Sequence, residues 1–409
     1  MKRICRHCRT PLDRKILDLG HAPPSNAYLS EADLSRPELT FPLRIFICDA
    51  CFLVQTEDFT DAEALFSAEY AYLSSTSRSW LEHARTYAHA IRDRLALDTE
   101  SFVVEIASND GYLLRNFIEL GIPCLGIEPT DCAADIAEAK GIEVLRTFFG
   151  AALGASLSEA EEAADLVIGN NVYAHVPDIN DFTRGIQALL KPEGVVTLEF
   201  PHVMRLLEHR QFDTVYHEHF SYLSLGSVRT IFESAGLRIF DVEELPTHGG
   251  SLRVYGCRRE AAHRTLPSMS ALLEAETAFG LRDLDTYSSL QGNADEAKNA
   301  LLSFLLDCRR QGRSVAGYGA AAKGNTLLNY AGVKPDLLPY VCDAAASKQG
   351  RFLPGSHIPV LDPQVLQADP PDYVLMLPWN IAPEIETALA GLKRRGTSFV
   401  TAIPELRVR

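Results

Sequence analysis

The chain lacks any run of roughly 18 uncharged apolar residues, the length a membrane helix needs, so no membrane segment is expected. Its first residues, MKRICRHCRTPLDRK, carry basic charge with no apolar stretch behind it, and no secretory signal is read there. Excess positive charge is missing too: 39 Lys and Arg stand against 54 Asp and Glu, a formal net charge of −15. A protein that coats nucleic acid or an anionic membrane needs the opposite sign, so neither is expected as a partner. There is no short-period repeat, no low-complexity tract and no heptad run, and a monomer is expected. Cysteine is sparse, 9 in 409 residues, and the number is odd. That usage reads as a reducing, cytoplasmic setting rather than a disulfide framework.

What is present starts with how those cysteines are placed. Cys5-x-x-Cys8 and Cys48-x-x-Cys51 are two knuckles separated by residues 9–47, while Cys124, Cys132, Cys257, Cys308 and Cys342 are scattered as buried thiols usually are. Each C-x-x-C turn points two thiolates at one spot, and two such turns close a tetrahedral zinc site. Four thiolates leave no position open for water, so one structural zinc per chain is expected, with a hairpin or loop filling the gap.

A chain of 409 residues is too long for one core and implies two or three domains. After a turn-rich first segment, SWLEHARTYAHAIRDRLAL has helical spacing. FVVEIA, PCLGIEP, ADLVIGNNV and GVVTLEFP then read as strands alternating with helices, the pattern of a doubly wound parallel sheet. A polar helical region, about 264 to 312, reads as a connector. RSVAGYG, LLPYVCDA, DYVLMLPW and TSFVTAIP read as the strands of a second α/β unit.

Ligands of open α/β sheets bind at the carboxyl ends of the strands, and polar residues cluster there. Glu105 lies inside the first strand, and Ser108, Asn109, Asp110 and Gly111 follow it. The loop departs from G-x-G-x-x-G and is closer to the first motif of S-adenosylmethionine-dependent methyltransferases; a nicotinamide cofactor is the alternative. Glu128 ends the second strand, where a carboxylate can accept from two ribose hydroxyls, and Asn170 ends the third. In the second unit Gly319, Lys323 and Asn325 lie where a glycine loop enters a helix, a setting suited to phosphate, with Lys348 and Arg351 as further support.

TVYHEHFSYLS, residues 214–224, holds two histidines, a glutamate and two tyrosines. A zinc site, a proton-transfer site and a polar core segment are all open readings, although a single H-x-H lacks a second ligand pair nearby. An extended stretch would separate Tyr216 from His219, whereas a helical start would bring them together. His217 reads as structural, and Tyr222 as core or site.

At this length the motifs support a resemblance. The cysteine pairs with LDLGHAPPSNAYL, then EIASNDGYLL, NNVYAHVPDINDF, EFPHVMRLLEHRQFDTVYHEHFSYLSL, HGGSLRVY, GYGAAAKGNTLLNYAGV and KQGRFLPGSHIPV resemble the sugar C-methyltransferases that build branched deoxysugars on nucleotide carriers. The resemblance implies a small zinc-binding domain (1–80), a central Rossmann-like S-adenosylmethionine methyltransferase domain (81–258) and a C-terminal Rossmann-like domain (259–409) that helps hold a nucleotide sugar. It implies methylation at C3 of a dTDP-linked 4-keto-6-deoxysugar through an enolate. His219 would be the base, Glu218 an orienting carboxylate, and Tyr216 or His175 a donor to the C4 oxygen. Tyr70 would line the pocket from the N-terminal side. Two rival readings are an RNA methyltransferase with a zinc knuckle and a non-catalytic nucleotide-sugar binding protein.

Overall fold

The computed structural model describes residues 3–59, 73–160 and 162–409. Tyr70 lies outside the described residues. The chain is mixed α/β and is organised around three sheets. The first is antiparallel, in the order Arg14–Ala22, Phe41–Ile47, Val54–Thr56 and, from far along the chain, Ser221–Tyr222. Arg14–Ala22 and Phe41–Ile47 fill the gap between the two cysteine knuckles.

The second sheet has seven strands, with Val103–Ile106 near its centre. Cys124–Ile127 and Glu143–Leu145 lie parallel to it on one side, Ala164–Asn170 and Leu190–Pro201 on the other. The hairpin Leu237–Leu245 and Ser251–Arg258 completes it, Ser251–Arg258 running antiparallel to Leu190–Pro201. Val103–Ile106 is buried at every position, as expected of a parallel strand covered on both faces. Helix Arg78–Leu95 covers one face through Ala84, Tyr87, Ala88 and Ile91, and the Ser77 hydroxyl caps it by accepting from the Trp80 N–H. The third sheet has six strands, five of them parallel (Val360–Leu361, Val341–Cys342, Val315–Tyr318, Tyr373–Met376, Ser398–Thr401) and Arg407–Val408 reversed at its edge.

The region read as a polar connector is not a linker. It forms helices Pro267–Phe279 and Leu290–Arg310. Leu290, Ala294, Leu301 and Leu305 of the second are buried in one core with Leu17 and Leu19 of the first sheet and Leu327 and Leu328 of helix Ala322–Ala331. A helix with one apolar stripe and a charged outer face reads as polar overall although it seals two units together. Among the described residues no helix is long and apolar enough to cross a membrane.

Gly111 fixes the loop after Val103–Ile106. Its φ is +73°, and an added Cβ would lie 2.2 Å from Ile142 Cδ1 and 3.2 Å from the Ala137 Cβ. Overpacking and the left-handed backbone act together, so Gly111→Ala should cost about 1–3 kcal/mol. A lowered denaturation midpoint is the expected outcome; an unchanged one would mean that the loop relaxes freely.

Candidate active site

The four knuckle thiols converge, with all Sγ atoms within 4.8 Å of one another. Cys5 and Cys51 approach to 3.5 Å, Cys8 and Cys48 to 3.4 Å. A tetrahedron of Zn–S bonds of about 2.3 Å has edges of about 3.8 Å, so the donor set fits a closed zinc site. The knuckles are built alike: Arg9 N–H donates to the Cys5 carbonyl at 3.0 Å, and Phe52 N–H to the Cys48 carbonyl at 2.9 Å. Both closing residues are left-handed, at φ +64° and +59°. Gln55 Nε2 adds a donor 3.2 Å from Cys5 Sγ.

This unit grips the histidine-rich stretch directly. Val54 and Gln55 pair with Tyr222 and Ser221. Thr56 donates from its backbone to the Phe220 carbonyl and from its hydroxyl to the His219 carbonyl, both at 3.1 Å. Arg6 donates to the Pro177 carbonyl at 2.8 Å, and His7 Nδ1 meets Asn180 Oδ1 at 2.7 Å. The loop carrying His175 is thereby held from the same side. Phe220 N–H donates to the Ala174 carbonyl at 2.8 Å, tying the two histidine segments together.

Between them the chain turns. His219 N–H donates to the Tyr216 carbonyl at 3.0 Å, which places the two side chains side by side with ring centroids 4.0 Å apart. His219 Nδ1 lies 2.9 Å from the Thr214 carbonyl, an acceptor only, so Nδ1 carries the proton. Nε2 is then the basic atom, and the Tyr216 hydroxyl donates to it at 2.8 Å. His175 packs edge-on to His219, with centroids 4.6 Å apart. Burial and the neighbouring His175 and Lys323 hold His219 well below the ordinary histidine range. Burial takes His175 down to about 4, against the pull of the Glu218 backbone. Both imidazoles are neutral at pH 7.

Glu218 points elsewhere. Its Oε1 accepts from the Asn26 backbone and side chain at 3.3 and 3.2 Å, burial raises its carboxyl pKa, and it does not line the cavity described below. His217 faces away as well, with Nε2 3.3 Å from the Pro42 carbonyl and the ring edge-on to Phe41.

Tyr216, His219 and His175 open onto a cavity of about 990 Å³ walled by strand ends of the second sheet, by Asn26 after Arg14–Ala22 and by loop and helix residues of the third unit. One end holds Asn109, Glu128 and Asn170. Glu128 accepts from Asn109 N–H and Thr130 N–H, each at 2.9 Å, which ties the first two strand ends together. Asn170 is buried with neither side-chain polar atom bonded within the described residues, and Glu105 Oε2 and Asp110 Oδ1 are also unbonded. Glu105, Ser108, Asp110 and Gly111 lie behind the loop rather than on the cavity wall. Burial, with Glu128 and Asp110 close by, raises the Glu105 pKa. Lys140 Nζ lies 3.8 Å from Asp110, but Glu128 on the wall and the unsatisfied Asn170 amide still suit a ligand carrying both positive charge and hydrogen-bonding groups, as the sulfonium and ammonium of S-adenosylmethionine do.

Another part of the wall is cationic. Lys323 and Lys348 line it beside Pro378 and Asn380. Lys323 Nζ donates to Asn380 Oδ1 at 2.9 Å and sits 4.7 Å from the centre of the Trp379 ring, whose Nε1–H donates to Asp213 at 2.7 Å. Burial lowers Lys323 to about 8 and raises Asp213 to about 6. Asn325 and Gly319 are off the wall: Asn325 Nδ2 donates to the Ser25 carbonyl at 2.6 Å, and a Cβ on Gly319 would lie 2.4 Å from Pro378. Both position the loop that presents Lys323.

Sequence reasoning missed Asn26, Trp80, His83, Asn171 and His248, which all line the cavity. Trp80 stacks on His83 at 4.8 Å and meets His248 edge-on at 5.2 Å. The only local signal was a histidine before two glycines.

Domain models match in series: a zinc binding domain over 5–66, a methyltransferase domain over 80–242 and a C-methyltransferase C-terminal domain over 246–404. The C-methyltransferase NovU of Streptomyces niveus is 34% identical over 404 residues, 99% of this chain and 96% of its own. The chain belongs to the C-methyltransferase family. An uncharacterized methyltransferase of Mycobacterium leprae is 26% identical over 24% of this C-methyltransferase and 36% of its own length. The magnesium protoporphyrin IX methyltransferase of Synechocystis is 13% identical, with a TM-score of 0.37 over 50% of this chain and 100% of that one. The C-methyltransferase uses S-adenosylmethionine and carries a structural zinc.

Because the zinc unit holds the His219 carbonyl and the His175 loop, zinc loss should remove activity as well as local order. Cys48→Ser or chelation is expected to take zinc from one equivalent per chain toward zero and to cut methyl transfer at least tenfold. A zinc-free protein with full turnover would break that link.

Proposed function

We propose that this C-methyltransferase acts in the cytoplasm in branched deoxysugar biosynthesis, placing a methyl group on C3 of a dTDP-linked 4-keto-6-deoxysugar through an enolate. The observation that carries this reading is the neutral His219, its Nε2 free of a proton and facing the cavity that joins the cofactor end to the two lysines. A C–H bond yields its proton to an imidazole only when a carbonyl beside it can take up the charge. His219 Nε2 takes the C3 proton. The Tyr216 hydroxyl, displaced from Nε2 by the sugar, donates to the C4 oxygen, and His175 walls the base from water. Asn26 and the Glu218 carboxylate brace the far side of the Tyr216–His219 turn. S-adenosylmethionine supplies the electrophilic methyl when bound.

The nucleotide part is supported by Lys323 and Lys348 in a chain of net charge −15. Lys323 lies in the first turn of helix Ala322–Ala331, where the helix end also favours an anion. A monomer is proposed, since no heptad run calls for a coiled coil. An acidic surface offers no basic track for RNA.

Incubation with S-adenosylmethionine and dTDP-4-keto-6-deoxysugars in D2O should give a mass gain of one methyl, and C3 exchange even without the cofactor. No gain and no exchange across several such sugars would refute the reading. His219→Asn should lower kcat by about 10²–10⁴-fold with cofactor affinity intact. Since burial depresses His219, the acid limb of kcat/KM should fall below pH 6.5, the ordinary histidine value. A limb above that value would remove His219 as the base.

A further inference from the structure

We propose that His248 is a further catalytic residue, whose Nδ1–H donates to the acceptor's carbonyl oxygen opposite the base. The inference rests on the keto-sugar reading above and adds the group that meets the developing charge.

Three observations converge on it. The first is backbone geometry. His248 is left-handed at φ +53° and is followed by Gly249 at +89° and Gly250 at +117°. Such a conformation costs a non-glycine residue about 1–3 kcal/mol and persists only where its surroundings impose it. Here they do: Gln211 Nε2 donates to the Gly249 carbonyl at 2.7 Å, while Trp379 and the Arg205 side chain pack so closely that a Cβ on Gly249 or Gly250 would lie 2.4 or 2.6 Å from them. The turn is clamped from the third sheet and the second together.

The second is the proton on the ring. Asn171 Nδ2 lies 3.2 Å from His248 Nε2, so the amide donates, Nε2 accepts, and the proton is on Nδ1. Nδ1 bonds no described residue, and the ring lines the cavity. Burial and the nearby Lys323 take His248 down to about 4, which keeps it a neutral single donor.

The third is position. His248, His219, His175 and Lys323 all line the same cavity; His175 packs on His219 with ring centroids 4.6 Å apart, and His248 meets Trp80 edge-on at 5.2 Å. In the step assigned to it, the C3–H bond breaks and its proton passes to His219 Nε2. The bonding pair becomes the C3=C4 bond, and the carbonyl π pair moves onto oxygen, where Nδ1–H is already placed. A preorganised neutral donor in a dry site is worth most at that moment.

Two variants suit the left-handed backbone. His248→Gly removes the donor, and His248→Asn keeps an N–H. With the dTDP-4-keto-6-deoxysugar and no cofactor, His248→Gly should slow C3 exchange in D2O by about 10²–10³-fold, with sugar Kd changed less than about tenfold. His248→Asn should recover part of the loss. The infrared C=O stretch of the bound 13C4-labelled sugar should lie lower in the wild type than in His248→Gly. Wild-type exchange and an unshifted stretch in folded His248→Gly overturn the proposal alone; if that variant does not fold, full loss in His248→Asn without a change in the stretch does so. A wild type that neither exchanges nor methylates overturns the keto-sugar reading and this proposal together.

Discussion

Antiparallel pairing of Val54–Thr56 with Ser221–Tyr222 is the contact on which the rest of the site depends. Without it the turn from Tyr216 to His219 would hang from the central sheet by loops alone. A two-residue strand contributes little by itself, and Val54–Thr56 has only three residues. What makes the pairing rigid is the zinc knuckle just before it, which fixes Cys48 and Cys51 and so the register of everything that follows. A metal bond energy near the N-terminus is thereby converted into the position of an imidazole about 170 residues later, and the Thr56 hydroxyl on the His219 carbonyl is the final link.

The cavity is electrostatically mixed. Glu128 lines it, backed by Glu105 and Asp110 behind the wall, and Lys323, Lys348 and three depressed histidines share the same lining. Burial lowers each histidine, and Lys323 reinforces the effect at His219 and His248. A buried cation beside neutral rings therefore serves two ends. It offers a charge to an anionic substituent, and it adds to the burial that keeps His219 and His248 unprotonated. The lysine in turn is depressed by its own burial, against the pull of Asp213, which Trp379 holds in place.

Much of this was legible in the sequence where the signal is local. Two C-x-x-C turns declare a tetrahedral site whatever lies between them, and the alternation of strands and helices declares the parallel sheets. Signals that depend on a distant neighbour were not legible. Tyr216 and His219 could have been on opposite faces or side by side, and only the backbone hydrogen bond between them decides. Gly111 and Gly319 look like residues that admit a ligand, yet their missing Cβ atoms make room for Ile142 and Pro378. In Leu290–Arg310 the apolar stripe was present but diluted by charge on the other faces, so a sealing helix read as a connector.

Backbone strain follows the same map. Among the described residues, nine non-glycine residues have left-handed φ. Two of them, Arg9 and Phe52, close the zinc knuckles, and four, Ala107, Asn109, Asn171 and His248, line the cavity. Asparagine tolerates this region through its short polar side chain and histidine is also enriched there, whereas alanine gains nothing locally from it. Their conformations are therefore held by tertiary contacts at the carboxyl edge of the sheet, where ligands of this architecture sit. Holding them is a cost borne by the zinc unit and the third sheet, because those supply the clamps around Gly249 and the His219 turn. The outer units thus do more than carry a metal and a nucleotide: they keep the central sheet's loops in conformations that those loops would not adopt alone.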